Sequence, residues 1–252
     1  MMKKVYYILM LIAILYSCDK ENGSDCFQTT GNIISTEFEV ASFTKIQFED
    51  DVSLVIKQSE TQKIVIETGE NLLSDIAVKV ENETLIIQDN NGCNLAREYG
   101  VTKAYVSVSN LTQIRNASSR EVTSNGTLNF PNLKLISNTT GNIEGVKKSG
   151  DFILNIVSEN FSISANGQSI FYITGETKTA DIVFSDEWPR FEGENFKIDT
   201  LSILQRSATY MKVFPQDKVS GEIRGTGDVI LFNAPDIIEV EEYFTGKLII
   251  QD

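Results

Sequence analysis

Leu133-Lys134-Leu135-Ile136-Ser137-Asn138-Thr139-Thr140-Gly141 is the stretch from which the fold is read. An apolar residue leads, a polar residue follows at the fifth step, and three mostly small residues precede the next β-prone run. The form recurs as Leu111 to Asn116, Phe161 to Asn166, Leu201 to Arg206 and Val219 to Arg224. Successive leads, from Leu111 to Val219, lie 22, 28, 40 and 18 residues apart. Self-similarity at about 20–30 residues without a helical period signals stacked repeats. In a parallel β-solenoid the five leads stack as an interior ladder about 4.8 Å apart. Asn116, Asn138 and Asn166 then stack at a corner, where amides can bond amides and asparagine tolerates left-handed backbone. Gly141, Gly167, Gly225 and Gly227 supply sharp bends. An antiparallel sandwich or meander does not by itself demand one residue class at one step of each repeat.

Upstream of these repeats the chain is strand after strand. The runs are 43–48, 52–56, 63–66, 76–80 and 84–87, rich in alternating β-branched residues and separated by short polar breaks. One helical turn fits near Asn71, and no long amphipathic helix is present. Glu49-Asp50-Asp51 groups three carboxylates, but Ca²⁺ needs about six to eight oxygens in a shaped loop, so a solvated turn is the plainer reading. No metal site is expected.

The N-terminus reads as an address. Lys3 and Lys4 precede an apolar run from Val5 to Tyr16, too short to span a bilayer and suited to a signal-peptide core. It ends in Leu15-Tyr16-Ser17-Cys18, which resembles a bacterial lipobox with Tyr16 bulkier than usual. The alternative is a stray cysteine after an ordinary signal peptide. Acyl chains on Cys18 would hold the protein to a membrane at about 0.8 kcal/mol per buried methylene. Asp19-Lys20-Glu21-Asn22 looks like the short surface-export signal of Bacteroidetes lipoproteins. The expected organisation is a signal peptide over 1–17, a lipidated cysteine and tether over 18–35, and one domain over 36–252. With Cys18 lipidated, Cys26 and Cys93 remain, and an oxidising compartment tends to join such a pair. Closing that loop is worth on the order of 4 kcal/mol in the chain-entropy description; two separate thiols are the alternative.

Composition removes several functions. The chain of 252 residues carries a net charge of −13, which becomes −15 without residues 1–17. Nucleic-acid binding needs a basic footprint that is missing here. There is no histidine, so His-based acid–base chemistry, His metal ligands and Ser-His-Asp triads are all ruled out. No cofactor is implied.

Several stretches together resemble a known family. They are Phe43 to Gln58, Asn71-Leu72-Leu73, Leu85-Ile86-Ile87, 137–143 and Gly225-Thr226-Gly227-Asp228-Val229. Over roughly residues 40–250 they are similar to the auto-transporter adhesin, or head GIN domain, proteins of Bacteroidetes. The resemblance implies an exported all-β protein folded as a right-handed parallel β-helix, and it brings no catalytic residues.

The 40-residue interval between Phe161 and Leu201 stands out and reads as an extra strand row plus a loop. It holds Asp186, Glu187, Trp188 and Arg190, and Trp188 is the single tryptophan. Trp188 with Asp186 and Arg190 could stack on and hydrogen-bond a sugar; the plainer reading is that Trp188 and Phe191 cover the sheet or pack a neighbouring subunit. Asp199-Thr200-Leu201 resembles a short O-glycosylation motif. The leading expectation is a non-enzymatic outer-membrane lipoprotein, facing the periplasm or the cell surface, that presents its β-surface to glycan or envelope protein. A polysaccharide lyase or glycosidase is the second reading; an inverting site needs two carboxylates about 6.5–9.5 Å apart, which no spacing here demonstrates. A self-assembling structural oligomer is the third.

Overall fold

The computed structural model describes residues 25–251 apart from positions 96 and 142. The signal peptide, the start of the tether and Cys18 lie outside the described residues. The strands are β1 (Ile33–Phe38), β2 (Lys45–Asp50), β3 (Ser53–Gln58), β4 (Lys63–Gly69), β5 (Ile76–Glu81) and β6 (Thr84–Asp89). Next come β7 (Lys103–Val108), β8 (Gln113–Ser118), β9 (Val122–Asn129) and β10 (Asn132–Ser137). Four long strands follow: β11 (Phe152–Ala165), β12 (Ile170–Phe184), β13 (Arg190–Gln205) and β14 (Met211–Ile223). The last three are short: β15 (Val229–Leu231), β16 (Ile237–Glu242) and β17 (Leu248–Ile250).

All seventeen strands join one sheet, which curls into a nearly closed, barrel-like wall around a single core. The expected right-handed parallel β-helix is therefore corrected, because the pairing is mixed. β1 runs antiparallel to β4, β4 to β7, and β5 to β6. The local cause is clearest between β5 and β6. Asn82 and Glu83 have φ values of 48° and 61°, and Glu81 pairs with Thr84 across them. Two consecutive left-handed residues make a tight hairpin whose twist suits antiparallel strands, whereas a parallel return needs a connection of a dozen residues or more.

From β8 onward the pairing is parallel, and equivalent side chains form columns. One column runs Leu54, Val122, Phe152, Phe171, Phe191, Met211, Val229, and all seven are fully buried. Phe152 and Phe171 stack with ring centroids 4.6 Å apart. Each such burial is worth about 1.5–3 kcal/mol relative to exposure. A second column runs Ile46, Ile114, Leu135, Ile163, Ile182, Ile203. It continues into Gly221, where a Cβ would sit 2.0 Å from the Ile203 carbonyl oxygen.

The repeat leads fall into place in part. Leu133 pairs with Phe161, and Leu201 with Val219. The long interval is filled by Ala180, which stands between Phe161 and Leu201. Leu111 is out of step, because Ile136 faces Arg115 and so Asn116 falls one position behind Asn138. Asn116 closes its own turn instead: Oδ1 accepts from Ser118 N at 2.9 Å and Nδ2 donates to the Arg120 carbonyl at 2.8 Å. Gln205 repeats that pattern with Ser207 N and the Thr209 carbonyl. An amide ladder does exist, on another row: Asn160 Nδ2 donates to Asn132 Oδ1 at 2.8 Å, and Thr179 Oγ1 to Asn160 Oδ1 at 2.9 Å.

Candidate functional site

Residues 185–189 form a short turn between β12 and β13, since the extra residues of the interval are taken up by a strand. Glu187 adopts φ 53° and accepts an ion pair from Lys148 Nζ at 2.6 Å. Asp186 is exposed and accepts from the Glu187 amide at 2.9 Å. The Trp188 amide donates to the Gly167 carbonyl at 3.0 Å, while 56% of the residue stays exposed. Arg190 and Glu192 flank buried Phe191 in β13 and so share the outer face, while exposed Trp188 belongs to the preceding turn and Glu194 follows a register slip. Phe191 is fully buried in the core, unlike the outward position expected beside Trp188.

Arg190 meets groups from β12, from its own β13 and from the residue just before β14. Its Nη2 donates to Tyr172 Oη at 3.4 Å, and its guanidinium lies 5.5 Å from the Tyr210 ring centroid. Arg190 Nε sits 2.9 Å from Glu192 Oε1 as an ion pair, without the N–H alignment of a hydrogen bond. Lys212 Nζ reaches Glu192 Oε2 at 2.8 Å, and Tyr210 Oη donates to Glu192 Oε1 at 2.8 Å. The register explains the convergence: Tyr172 pairs with Glu192, and Glu192 with Lys212. The pairing then slips in β13 just after Glu192. Such a bulge re-aims side chains. Here Glu194 is turned so that Oε2 is buried without a hydrogen-bond partner and Oε1 stands 3.8 Å from Lys212 Nζ.

Burial works against the Glu192 charge. The hydrogen bonds from Lys212 and Tyr210, with the positive charges of Lys212 and Arg190, outweigh it and hold the carboxyl below the usual range. The same bond to Glu192 pushes the Tyr210 hydroxyl up. Glu192 is thus fixed as an anion, a poor general acid, and its role is to position Arg190, Lys212 and Tyr210. The outer face offers two partly exposed aromatics, Tyr172 and Trp188, beside a cation with donors to spare. Sequence reasoning picked out Arg190 and Trp188 but missed Tyr172, Glu192, Tyr210 and Lys212. Three of the four carry one signal, since 172, 192 and 212 recur every twenty residues, and Tyr210 carries none.

Elsewhere, Glu49-Asp50-Asp51 is split among separate partners. Glu49 accepts from Gln47 and Gln88 at 2.5 and 2.8 Å. Asp51 binds Arg120 at 2.8 Å and Ser119 at 2.7 Å. Among the described residues no group of three acidic, Cys or His side chains is set to hold a metal. A groove of about 610 Å³ is lined by Ser158, Glu159, Thr177, Lys178, Lys197 and Asp199, with an exposed Glu159–Lys178 pair across it. Cys26 and Cys93 form a disulfide that joins the segment before β1 to the loop before β7. No helix among the described residues is long and apolar enough to cross a membrane.

An all-β wall with a charged, aromatic outer face is the frame into which the comparisons fit. Over residues 42–235 the chain matches, and belongs to, the family described as "putative auto-transporter adhesin, head GIN domain". That description is one of an envelope or surface protein. Among solved structures, a putative adhesin from Bacteroides fragilis superposes with a TM-score of 0.78 at 16% identity, covering 88% of this chain and 99% of its own. A putative adhesin from Parabacteroides merdae gives 0.64 at 14% identity, covering 89% and 98%. A putative lipid binding protein from Parabacteroides distasonis gives 0.64 at 17% identity, covering 89% and 99%. At these identities the likeness is one of fold. No curated protein matches the chain.

Proposed function

We propose that this chain is a non-enzymatic envelope lipoprotein, anchored in the outer membrane through Cys18, whose outer sheet face binds a glycan. The carrying observation is the outer-face convergence of Tyr172, Arg190, Glu192, Tyr210 and Lys212, with exposed Trp188 two residues before Arg190 in the turn that leads into β13. Aromatic faces beside a fixed guanidinium suit a ring that is apolar on its face and hydroxylated at its rim. A glycosidase reading fares worse, since Glu192 is already neutralised by two cations. The lipid-binding description of one relative finds little support in this interior, which Phe152, Phe171, Phe184 and Phe191 fill.

The test is a glycan array followed by titration calorimetry on the best hit. Trp188→Ala and Arg190→Ala should each weaken binding about tenfold or more with the melting temperature little changed. Binding unaffected by both, or sustained product release from a polysaccharide, contradicts the reading. For the anchor, Cys18→Ser should move the protein from the membrane to the soluble fraction.

A further inference from the structure

β16 and β17 close the parallel end of the sheet, and among the described residues each pairs on one side only, with β14 and β15. The apolar columns run straight into them. Ile238 stands over Val219, Val240 over Gly221, Leu248 over Val229 and Ile250 over Leu231. Val219, Val229 and Leu231 are fully buried, whereas Ile238 and Ile250 are 41% and 45% exposed. The columns therefore end on open apolar side chains beside a row of free backbone donors and acceptors. Stacked-strand proteins ordinarily cover such an end.

The charge on this edge selects the occupant. Glu239 and Glu241 are exposed and alternate with inward Ile238 and Val240; Glu239 is paired with a single cation, Lys218, and Glu241 accepts from the Tyr243 hydroxyl, so the row keeps a net negative charge. Residues 236–252 hold five acidic side chains and one lysine. A second copy docking edge to edge would set this acidic row against itself, and like charges directly opposite are destabilising. A strand with basic residues at alternate positions would meet Glu239 and Glu241, and its apolar residues would continue the columns. We propose that the open edge of β16 binds an extended polypeptide segment in which apolar and basic residues alternate, added as a further strand.

The probe is a fluorescent heptapeptide in which four valines alternate with three lysines, titrated against the folded chain by anisotropy. Two controls share its length: one with glutamate for lysine, and one with the three lysines followed by the four valines. The alternating basic peptide should bind at least tenfold tighter than either control and slow amide exchange over 237–242. The double variant Glu239→Lys, Glu241→Lys should reverse the preference towards the glutamate peptide; its melting temperature checks that it folds. Equal binding of the alternating and block peptides would reduce the attraction to charge alone and overturn the proposal. So would protection appearing elsewhere, or protection of 237–242 that rises with protein concentration without peptide, which would make a second copy the occupant.

Discussion

At the end formed by the first strands, β1, β4 and β7 turn antiparallel, β5 folds back on β6 through Asn82-Glu83, and Cys26–Cys93 fastens the leading segment down. At the other end the parallel ladder simply continues to β16 and β17 and stops with Ile238 and Ile250 half open. The difference lies in local chemistry. At the first end β1 and β5 are also edges, each paired on one side, with β4 and β6, but a tight turn and a covalent bridge fasten them. The second end has only the inherited column positions, and it manages its edge with charge. Glu239 is tied to Lys218 at 2.6 Å, and Glu242 to Lys247 at 2.7 Å. The first end carries edges that turns and a disulfide hold in place, whereas the second carries apolar columns that stop half covered.

The largest effect should come from between the ends. Phe171→Ala removes a ring packed between Phe152 and Phe191 and should cost about 3–5 kcal/mol in chemical denaturation. A value near zero would mean that the columns do not carry the fold. Opening the first end comes next. Cys26→Ser should cost about 2–4 kcal/mol and should speed amide exchange in β1 and β4 while leaving β16 unchanged. Equal loosening at both ends would erase the contrast drawn here.

A smaller effect, with a sign set by pH, tests the Asp50–Asp51 pair near the closed end. Burial opposes the Asp51 charge, but the hydrogen bonds from Arg120 and Ser119 and the charge of Arg120 prevail and lower its pKa. A carboxyl lowered in the folded state stabilises above its unfolded value, near 3.9, and that contribution is lost as pH falls through the folded value. Asp51→Asn should therefore cost about 1 kcal/mol at pH 7, a gap that closes in acid. Asp50 runs the other way. Burial pushes its carboxyl up, with the charges of Glu49, Asp89 and Asp51 adding to this and Lys147 opposing it. Asp50→Asn should leave stability at pH 7 unchanged or higher, and asparagine suits its φ of 60°. The smallest effect belongs to the open end, where Ile250→Ala should cost less than about 1 kcal/mol because the side chain is already half exposed.

Much of the fold was legible in the sequence. The alternating runs gave the strands, and the pairs Leu133–Phe161 and Leu201–Val219 sit where the repeat placed them. Ala180 was overlooked because it is small and is followed by Phe184-Ser185 where the other repeats carry an Asn or Arg turn. Leu111 was misaligned because register is set by hydrogen bonding along the whole of β8, and a one-residue slip does not show in a single apolar lead. The mixed pairing had no length signal, because the breaks at Asp51-Val52 and Phe130-Pro131 are as short as the one at Asn82-Glu83 and turn corners between parallel rows. Of the candidate site, Arg190 and Trp188 were legible because charged and aromatic residues cluster there in the chain. Tyr172 and Lys212 come from neighbouring strands, and Tyr210 from the turn before β14; they meet Arg190 and Glu192 only after stacking, so no local pattern marks them. Of the four glycines expected at bends, Gly141 has a positive φ of 95°, whereas Gly227 is required because a Cβ would lie 1.8 Å from the Thr209 carbonyl oxygen.

Residue-level amide exchange on the isolated chain tests the contrast between the two ends most directly. The account predicts that amides of β16 and β17 exchange faster than those of β1 and β5, the edges that the disulfide and the Asn82-Glu83 turn fasten, and that the central β12 is the slowest. Protection of β16 equal to that of β14, in a protein shown to be monomeric, would contradict it.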